Sequence, residues 1–397
     1  MKSGWHTRTI GDVCEVVNGG TPKTGVKEYW DGSNRWITPA EMGKRQDPYV
    51  SETERTITDK GLGNSSAKLL PNKSVILSSR APIGHLVINT EPMAFNQGCK
   101  GLIPSEGLYY KFLFHYLTSK VDLLNSLGTG ATFKELSGGK LKEVPIPIPP
   151  LPEQQRIVSI LDEAFEGIAT ATANAEKNLS NARELFDSYL ASVFQRTGSD
   201  WLNRRLKDVC EKITDGTHQT PTYFDEGVVF LSSKNVKART IDWENVKYID
   251  TKQHHEMHKR VAPRLNDILL AKNGTTGVAA LVDRDVTFDI YVSLALLRPL
   301  DVILPSLLLY FINSPVAKSQ FNRRLKGTGV PNLHLEEIRE VELSFPKSIS
   351  EQQAVVGKLD EIASEITRLE SVYQQKLDAL TELKKSILHQ AFTGQLH

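Results

Sequence analysis

The segment HHEMH, from His254 to His258, has the residue types and nearly the spacing of a metal-binding pair. Histidines four residues apart project from one face of a helix, and two such imidazoles bind zinc in the HExxH motif. The segment is one residue short of that motif, and the sequence shows no obvious third ligand. The alternative is a solvated basic segment, because Lys259 and Arg260 follow directly. We favour this alternative and expect no metal site.

Motifs for the common catalytic chemistries are absent from the sequence. SGGKLK, residues 137–142, lacks both the spacing and the hydroxyl of a phosphate-binding loop. No GxSxG nucleophile motif occurs, and neither do the Asn/Asp-Pro-Pro-aromatic motif and the glycine-rich cofactor loop of an amino-methyltransferase. We therefore expect a chain that is not an enzyme and that binds neither ATP nor a methyl donor.

The charges are unevenly distributed, although the formal net charge is only +1. Residues 1–150 carry 18 basic and 14 acidic side chains, and residues 201–349 carry 21 and 18. Residues 151–200 carry 4 and 8, and residues 350–397 carry 5 and 7. Two basic regions thus alternate with two acidic ones, and this distribution permits DNA binding by the basic regions without proving it.

Composition places the chain among intracellular globular proteins. Its 397 residues favour two or more domains. No run of about 18 apolar residues could span a bilayer, and the start, MKSGWHTRTIG, has no apolar signal core. Cys14, Cys99 and Cys210 are scattered and odd in number, so we expect reduced thiols and a cytoplasmic location.

The sequence is duplicated from end to end, which must be recognised before any fold is assigned. Four segments of the first copy recur in order in the second: Trp5–Thr24 with Trp201–Thr220, Val75–Ile88 with Ile268–Leu281, Leu127–Leu136 with Lys326–Leu335, and Glu153–Phe165 with Glu351–Ala363. The last match continues without a gap to Phe194 and Phe392. The sequence therefore predicts two modules of the same fold, each followed by an equivalent segment of about 42 residues.

These terminal segments are predicted to be long helices that pair. Apolar residues recur at alternating spacings of 4 and 3, from Val355 to Ile387 and at the matching places of the first copy, which is a heptad pattern. An antiparallel pair with an approximate two-fold axis is the simplest arrangement, and it brings the chain termini close together. Asn178 and Lys376 interrupt the seam at equivalent positions, either to fix the register or because the seam faces solvent there.

The helix starts are predicted from capping and proline signals. Ser350 and Gln353 form a possible capping box, and Pro152 suits a first helical turn. The run PIPIPPLP, Pro145–Pro152, is expected to be a stiff linker before the first helix. Because its counterpart keeps a single proline, Pro346, the two modules could be held with different stiffness.

Each module mixes short strands with one helix near its end, which predicts an α+β domain. The strand-like runs are Trp36–Thr38, Val75–Ser78, Leu86–Ile88, Val228–Ser232, Ile268–Ala271 and Val278–Val282, and the helical ones are Leu108–Ser119 and Leu304–Ser314. The predicted boundaries are 1–150 for the first module, 151–197 for the first long helix, 198–349 for the second module and 350–397 for the second long helix.

Both copies closely resemble the specificity subunits of type I restriction-modification systems. The resemblance rests on TGATFKELSGGKLKEVPIPIPPLPEQQRIVSILDEAF, on its counterpart GTGVPNLHLEEIREVELSFPKSISEQQAVVGKLDEIA, and on the ending SILHQAFTGQL. It implies that each module is a target recognition domain that reads one half of a bipartite, asymmetric DNA site. It also implies that the helices fix the half-site separation and dock methyltransferase subunits, two in number. A motor-nuclease subunit would complete the complex, and the methyl donor, ATP and Mg²⁺ would bind to these partners.

The candidate DNA contacts are basic, amide and hydroxyl side chains near predicted turns. They are Arg35, Lys44, Arg45, Ser79, Arg80, Thr129 and Lys134 in the first copy, and Lys234, Lys259, Lys272, Asn273, Arg323, Arg324, Lys326 and Thr328 in the second. Arginine and asparagine suit base contacts, whereas lysine and hydroxyl groups more often hold phosphates. We prefer Arg80 and Asn273 as base readers because they are equivalent in the repeat and differ chemically. A solvated surface charge is the alternative for each.

A stand-alone regulator of transcription with two DNA-binding modules is the competing function. The duplication suits both functions, whereas only a specificity subunit needs apolar helix surface for docking partners. A self-sufficient adenine methyltransferase is a third class, and it would transfer methyl groups without a partner, which we do not expect.

Overall fold

The computed structural model describes residues 4–80, 82–130, 134–274, 276–325 and 332–396. The chain forms two compact units, one of Met1–Ala175 with Gln375–His397 and one of Glu176–Gln374. We call them the first and the second unit. Each unit contains one copy of the module and a part of both long helices.

The first copy begins with a short strand and ends in the first long helix. Its strands are β1 (His6–Thr9), β2 (Cys14–Asn18), β3 (Trp30–Ile37), β4 (Tyr49–Val50), β5 (Thr56–Ile57), β6 (Val75–Ser79), β7 (Ile83–Asn89), β8 (Ala94–Phe95), β9 (Cys99–Pro104) and β10 (Pro145–Ile148). Its helices are α1 (Ile10–Val13), α2 (Pro39–Lys44), α3 (Asp59–Gly63), α4 (Tyr110–Ser119), α5 (Val121–Leu127), α6 (Gly138–Lys142) and α7 (Leu151–Phe194).

The second copy repeats this plan and ends in the second long helix. Its strands are β11 (Trp201–Arg205), β12 (Cys210–Asp215), β13 (Val228–Leu231), β14 (Val236–Lys237), β15 (Thr240–Ile241), β16 (Lys247–Ile249), β17 (Ile268–Ala271), β18 (Ala279–Leu281), β19 (Phe288–Ile290), β20 (Leu294–Pro299) and β21 (Glu342–Pro346). Its helices are α8 (Leu206–Val209), α9 (Thr251–His258), α10 (Pro305–Asn313), α11 (Pro315–Arg324), α12 (Leu335–Arg339) and α13 (Ile349–Thr393).

The main sheets of the two units have matching strand orders. They are β2-β9-β6-β7-β4 in the first unit and β12-β20-β17-β18 in the second. The strands β6 and β17 are apolar throughout most of their length and fully buried, which fits strands covered on both faces. Each predicted strand overlaps an observed one, and the helices α4 and α10 lie within two residues of their expected positions. β3 and β7 begin six and three residues earlier than predicted. The α+β architecture with two modules and two long helices is confirmed.

The proline-rich segment before α7 is a strand as well as a linker. β10 pairs antiparallel with β1, and in the second unit β21 pairs in the same way with β11. In an edge strand, every second residue directs its N–H away from the neighbouring strand. Proline has no N–H, so Pro145 and Pro147, two residues apart, are tolerated at such positions. The predicted stiff linker is thus, at Pro145–Ile148, a strand that the sequence analysis did not predict, and both copies reach their long helix through the same kind of strand pair.

The long helices α7 and α13 have 44 and 45 residues, close to the predicted length. The start of α13 differs from the prediction, because the hydroxyl of Ser348 accepts the N–H of Glu351 at 3.1 Å. Ser348 is therefore the capping residue, and Ser350 lies inside the first turn. Pro152 is the second residue of α7, a place where its missing N–H leaves no intrahelical bond unmade.

In the first unit the beginning of α7 packs antiparallel on the end of α13. Arg156 donates to the carbonyl oxygen of Leu396 at 3.2 Å, and the ammonium of Lys384 lies 5.0 Å from the ring centroid of Phe165. Residue numbers rise along one helix as they fall along the other. The buried residues Ile157 and Leu161 share one core with Phe392 and its neighbours, so the helix ends are part of the module's own core.

In the second unit the end of α7 packs antiparallel on the beginning of α13. Arg183 and Glu370 form an ion pair at 2.6 Å, and Phe194 and Leu359 belong to one core cluster. The predicted pairing of the helices is thus confirmed within each unit.

The predicted apolar seam is not continuous. Leu185 and Leu383 were assigned to it, but their side chains are 65% and 46% exposed. Asn178 and Lys376 are also exposed, which fits a seam that faces solvent at these positions better than a buried register device. A heptad pattern fixes which side chains share a face, whereas the neighbour that covers them is set by the tertiary fold.

Two equivalent glutamines join each long helix to its module. The side chain of Gln154 accepts the N–H of Tyr109 and donates to the carbonyls of Gly107 and Pro149. Gln352 makes the same set of contacts in the second unit, with Leu304, Val302 and Pro346. Both glutamines are fully buried, so the repeated motif EQQ has a structural role at the first turn of each helix.

The ends of the chain lie together in the first unit. Trp5 and Leu396 are both buried in its core. The corresponding connection in the second unit is the covalent segment between Phe194 and Trp201, which includes the exposed Gly198. The expectation that the termini are close is therefore confirmed.

A circular permutant that joins the termini and opens the chain at Gly198 is expected to fold. Its free energy of unfolding should stay within about 1 kcal/mol of the parent's, because breaks at exposed connections with few contacts are tolerated. Urea denaturation followed by circular dichroism measures this. A permutant opened at Gly167, inside α7, is the matched control and should be strongly destabilised. Equal instability of both permutants would contradict the arrangement.

All three cysteines are free and buried. Burial raises the pKa of each thiol, Cys14, Cys99 and Cys210, to about 12. They therefore stay protonated at neutral pH, as expected for reduced thiols with a packing role. Across the part of the chain that the structure describes, no helix combines the length and apolar character that crossing a membrane requires.

Candidate nucleic-acid interface

The preferred base-reading candidates, Arg80 and Asn273, occupy equivalent places in the two units. Each follows the buried strand β6 or β17 and pairs through an isolated backbone bridge with a later segment. The residues before them accept matching backbone hydrogen bonds at 3.0 Å, Ser79 from Leu136 and Lys272 from Leu333. The equivalence predicted from sequence is thus confirmed at this point.

The later segment aligns differently from the sequence prediction. The ungapped comparison paired Leu136 with Leu335, whereas the backbone contacts pair it with Leu333, and these two leucines are both fully buried. Glu135 therefore corresponds to Asn332, because each bridges to the base-reading candidate of its unit. The predicted register was wrong by two residues at this point.

In the first unit Arg80 lines a cleft of about 340 Å³. Its guanidinium lies 2.8 Å from Oε2 of Glu135, and its side chain is 44% exposed. The ammonium of Lys100, mostly buried, lies 3.9 Å from the other oxygen of Glu135. Thr129 exchanges two backbone hydrogen bonds with Glu135, next to the exposed Lys134. Of the predicted contacts, Arg80 therefore pairs with the Glu135 carboxylate and Thr129 with the Glu135 backbone, and Lys134 precedes Glu135 in the chain.

In the second unit Asn273 lines a cleft of about 690 Å³. The other polar or charged side chains that line it are Asp215, His218, Lys272, Asn332, His334, Glu336 and Arg339. The side-chain oxygens of Asn273 and Asn332 are buried and accept no hydrogen bond from the described residues. Buried acceptors are nearly always satisfied in folded proteins, so these two oxygens are suited to a donor from a molecule that enters the cleft.

Asp215 is one of two carboxylates that line this cleft, and two cationic side chains and a histidine surround it. Its oxygens lie 3.0 Å from Nζ of Lys272, 2.5 Å from the guanidinium of Arg260 and 3.3 Å from Nε2 of His218. Burial raises the pKa of the Asp215 carboxyl, but the hydrogen bonds from Arg260 and Lys272 together outweigh it, so this pKa lies below its ordinary value. Asp215 therefore stays ionised and holds Lys272 in place.

The structure does not support Ser79 and Lys272 as DNA contacts. Ser79 is fully buried, and its hydroxyl has no hydrogen-bond partner within the described ranges. Lys272 is 6% exposed, and its ammonium is paired with Asp215. Burial of both side chains at this equivalent position argues against these two contacts, which otherwise stay untested predictions.

The remaining candidates of the first unit are each paired with a glutamate. The pairs are Arg35 with Glu52 at 2.8 Å, Lys44 with Glu54 at 3.1 Å and Arg45 with Glu41 at 3.7 Å. The backbone N–H of Glu54 donates to the carboxylate of Glu41, so Glu41 lies beside the segment that contains Glu52 and Glu54. A phosphate could bind here only by displacing a carboxylate, so these three contacts stay predictions.

The remaining candidates of the second unit are dispersed. Lys234 and Lys259 are exposed. Arg323 and Arg324 end α11 and line a cleft of about 740 Å³ together with Arg196. Lys326 and Thr328 lie outside the described residues. The structure therefore brings Asn273 into a polar cleft together with Lys272, whereas the other lysines and arginines predicted in the second copy are not among the residues that line it.

The sequence analysis missed several residues that lie in or beside the cleft of Asn273. Arg260 was noted only as a neighbour of HHEMH, and His218 and Arg339 were not singled out. His218 had a usable signal, since it directly follows the Gly-Thr pair that the first copy shares at Gly20 and Thr21. Arg339 had none, because its partner, the carbonyl of Ile213, lies on a distant strand.

A family profile matches the chain twice. The profile is that of the type I restriction modification DNA specificity domain, and it matches residues 2–179 and 198–379. The chain therefore belongs to this family. The two matches coincide with the two copies found in the sequence.

Curated relatives are named specificity subunits of type I restriction enzymes. The MjaIX subunit of Methanocaldococcus jannaschii is 32% identical over 57% of this chain and 56% of its own length. The EcoR124I/EcoR124II subunit of Escherichia coli is 34% identical over 47% of each chain. The chain thus matches about half the length of these two relatives. The EcoKI subunit of Escherichia coli is 21% identical, over 100% of this chain and 90% of its own.

Two solved structures share the fold over the full chain. One, from work on complex assembly and conformational transition of the type I R-M system, has a TM-score of 0.81 at 20% identity and covers 100% of this chain and 99% of its own. The other is the HsdS subunit from Thermoanaerobacter tengcongensis, with a TM-score of 0.58 at 18% identity and coverage of 100% and 98%.

Proposed function

We propose that this chain is the DNA-recognition subunit of a type I restriction-modification complex and that each unit reads one half of an asymmetric, two-part site. The observation that carries the proposal is the double family match, one match per copy. The two clefts differ in chemistry at equivalent positions, with Arg80 and Glu135 in one and Asn273 and Asn332 in the other. Different side chains at one position suit different half-sites.

The chemistry of each cleft suggests what it reads. An arginine suits bidentate contact with guanine, and an asparagine suits adenine, whose amino group is the donor that the unpaired Asn273 oxygen lacks. In the first cleft Glu135 holds the Arg80 guanidinium away from solvent ions, and a guanine edge would take over that guanidinium. Glu135 would then be free to accept from a cytosine amino group.

The partners are proposed from the family and from the surface of the helices. Methyltransferase subunits, two in number, would dock on the long helices, and a motor-nuclease subunit would join them. The methyl donor, ATP and Mg²⁺ would bind those partners and not this chain. Leu185, Val372 and Leu383 support this, since they are large apolar side chains exposed on α7 and α13. A stand-alone regulator has no use for them, and the family match also favours the specificity subunit.

Co-purification with the cognate methyltransferase subunits tests this function. We expect a stable complex in which methyl transfer from S-adenosylmethionine to DNA requires this chain. Leu185→Gln combined with Leu383→Gln should weaken the complex, whereas the control Glu184→Gln on the same helix should not. Specific binding of a two-part site by a chain that recruits no methyltransferase would instead establish the stand-alone regulator.

A further inference from the structure

The histidine pair of HHEMH faces a buried carboxylate, Asp289, that no local sequence motif marks. Helix α9 packs on β19, where Asp289 projects toward it. Nδ1 of His254 lies 2.6 Å from Oδ2 of Asp289, and Nδ1 of His258 lies 3.0 Å from Oδ1. The two imidazole rings are 4.6 Å apart between centroids. One ligand atom from each of the three residues lies within 4.8 Å of the other two.

The charge at this cluster is poorly compensated. The side chain of Asp289 is 2% exposed, and within the described residues its ion-pair partners are the two histidines, with no lysine or arginine among them. An ionised carboxylate is costly to bury without a cation beside it. Neutral imidazoles offer hydrogen bonds to Asp289 but no charge, whereas a divalent cation between the three side chains would supply it.

We propose that His254, His258 and Asp289 bind a divalent transition-metal ion, with Zn²⁺ as the preferred occupant. Two imidazoles and one carboxylate are donors that zinc takes at about 2.0–2.2 Å. In tetrahedral geometry such ligand atoms lie about 3.3 Å apart. Nδ1 of His254 and Nδ1 of His258, now 2.6 and 3.0 Å from the Asp289 oxygens, would therefore have to move away from the carboxylate by less than about 1 Å. His258 is partly exposed, which leaves a path for the ion and a coordination position for solvent.

The proposed role of the metal is structural. It would fasten α9 to the sheet of order β16-β13-β19 in the second unit. Helix α9 lies between Thr220 and Ile268, outside the four segments that recur in the two copies. The site is therefore a property of the second unit of this chain, independent of the duplicated framework and of the DNA-reading clefts described above.

Zinc titration of the full chain, freed of metal with a chelator and desalted, tests the proposal. We expect one Zn²⁺ per chain by calorimetry, a rise in Tm with zinc, and visible Co²⁺ absorption of a low-symmetry nitrogen and oxygen site. His254→Gln combined with His258→Gln should weaken zinc binding about 100-fold and abolish the Tm shift. The matched control is His255→Gln on the same helix, because His255 is exposed and its Nδ1 contacts the carbonyl of Thr251. That control should bind as the parent does.

A further variant keeps the test decisive if the double histidine variant does not fold. Asp289→Asn preserves the size and one acceptor oxygen of the side chain, and we expect it to fold and to lose the Co²⁺ absorption. Unchanged zinc affinity in either ligand variant would place the bound ion elsewhere and overturn the proposal. So would equal weakening by His255→Gln, or zinc that binds the parent without raising its Tm.

Discussion

Replacing Gln154 with leucine is expected to lower the free energy of unfolding by about 3 kcal/mol. The side chain is fully buried and makes three hydrogen bonds of 2.8–2.9 Å to backbone groups. Leucine has a similar size but leaves one N–H and two carbonyls of the module without that partner. Each buried group that loses its hydrogen bond costs about 1–3 kcal/mol, and local relaxation recovers part of the sum. Urea denaturation measures the loss.

The neighbouring Gln155 provides the control, since it lies in the same helix turn and is exposed. Gln155→Leu should change the free energy of unfolding by no more than about 0.5 kcal/mol. Gln352→Leu should match Gln154→Leu, because the two glutamines make equivalent contacts in their units. If Gln154→Leu were as mild as Gln155→Leu, the role assigned to the repeated EQQ motif would be wrong.

Asp215→Ala is expected to destabilise the second unit by about 3–5 kcal/mol. Removal of the carboxylate leaves the ammonium of Lys272 buried without a counter-charge, since Asp215 is its ion-pair partner at 3.0 Å. It also frees Arg260 and His218, which are more exposed and so less affected. The free energy of unfolding of this variant, measured in urea at neutral pH, gives the effect.

A double variant separates the ion pair from mere loss of packing. Lys272→Met fills the same space without a charge, so Asp215→Ala with Lys272→Met should recover at least about 1–2 kcal/mol relative to Asp215→Ala alone. Strictly additive losses would show that the two residues are not coupled. Recovery would also explain why Lys272, which looked like a phosphate contact, is a structural cation.

The periodicity of the sequence predicted the helices and strands well, because the spacing of apolar residues along the chain follows the local secondary structure. Alternating and continuous apolar runs placed β6 and β17, and the heptad pattern placed α7 and α13 to within three residues. A heptad pattern does not predict which element covers the apolar face of a helix. Leu185 is an example, because it lies in the helix at its heptad position but its side chain is exposed. The strand at Pro145–Ile148 was missed because proline lowers strand propensity regardless of an available edge.

The site was predictable only in part, because a side chain's accessibility depends on partners far along the chain. Arg80 and Asn273 were found from the duplication, and each does line a polar cleft. Lys272 was misassigned because Asp215 is distant in sequence. The metal ligand set was likewise dismissed because Asp289 lies 31 residues beyond His258 and nothing in its local sequence marks it.

The central claim is that each unit reads its own half-site. It is tested most directly by mapping methylated adenines in cells that carry the parent chain, the Arg80→Ala variant or the Asn273→Ala variant. The parent should give two short, different blocks separated by an unspecified spacer. Arg80→Ala should relax positions in one block and Asn273→Ala positions in the other, each by about 1–3 kcal/mol of discrimination at the affected base pair. A single continuous motif, or a variant that relaxes both blocks, would contradict the account.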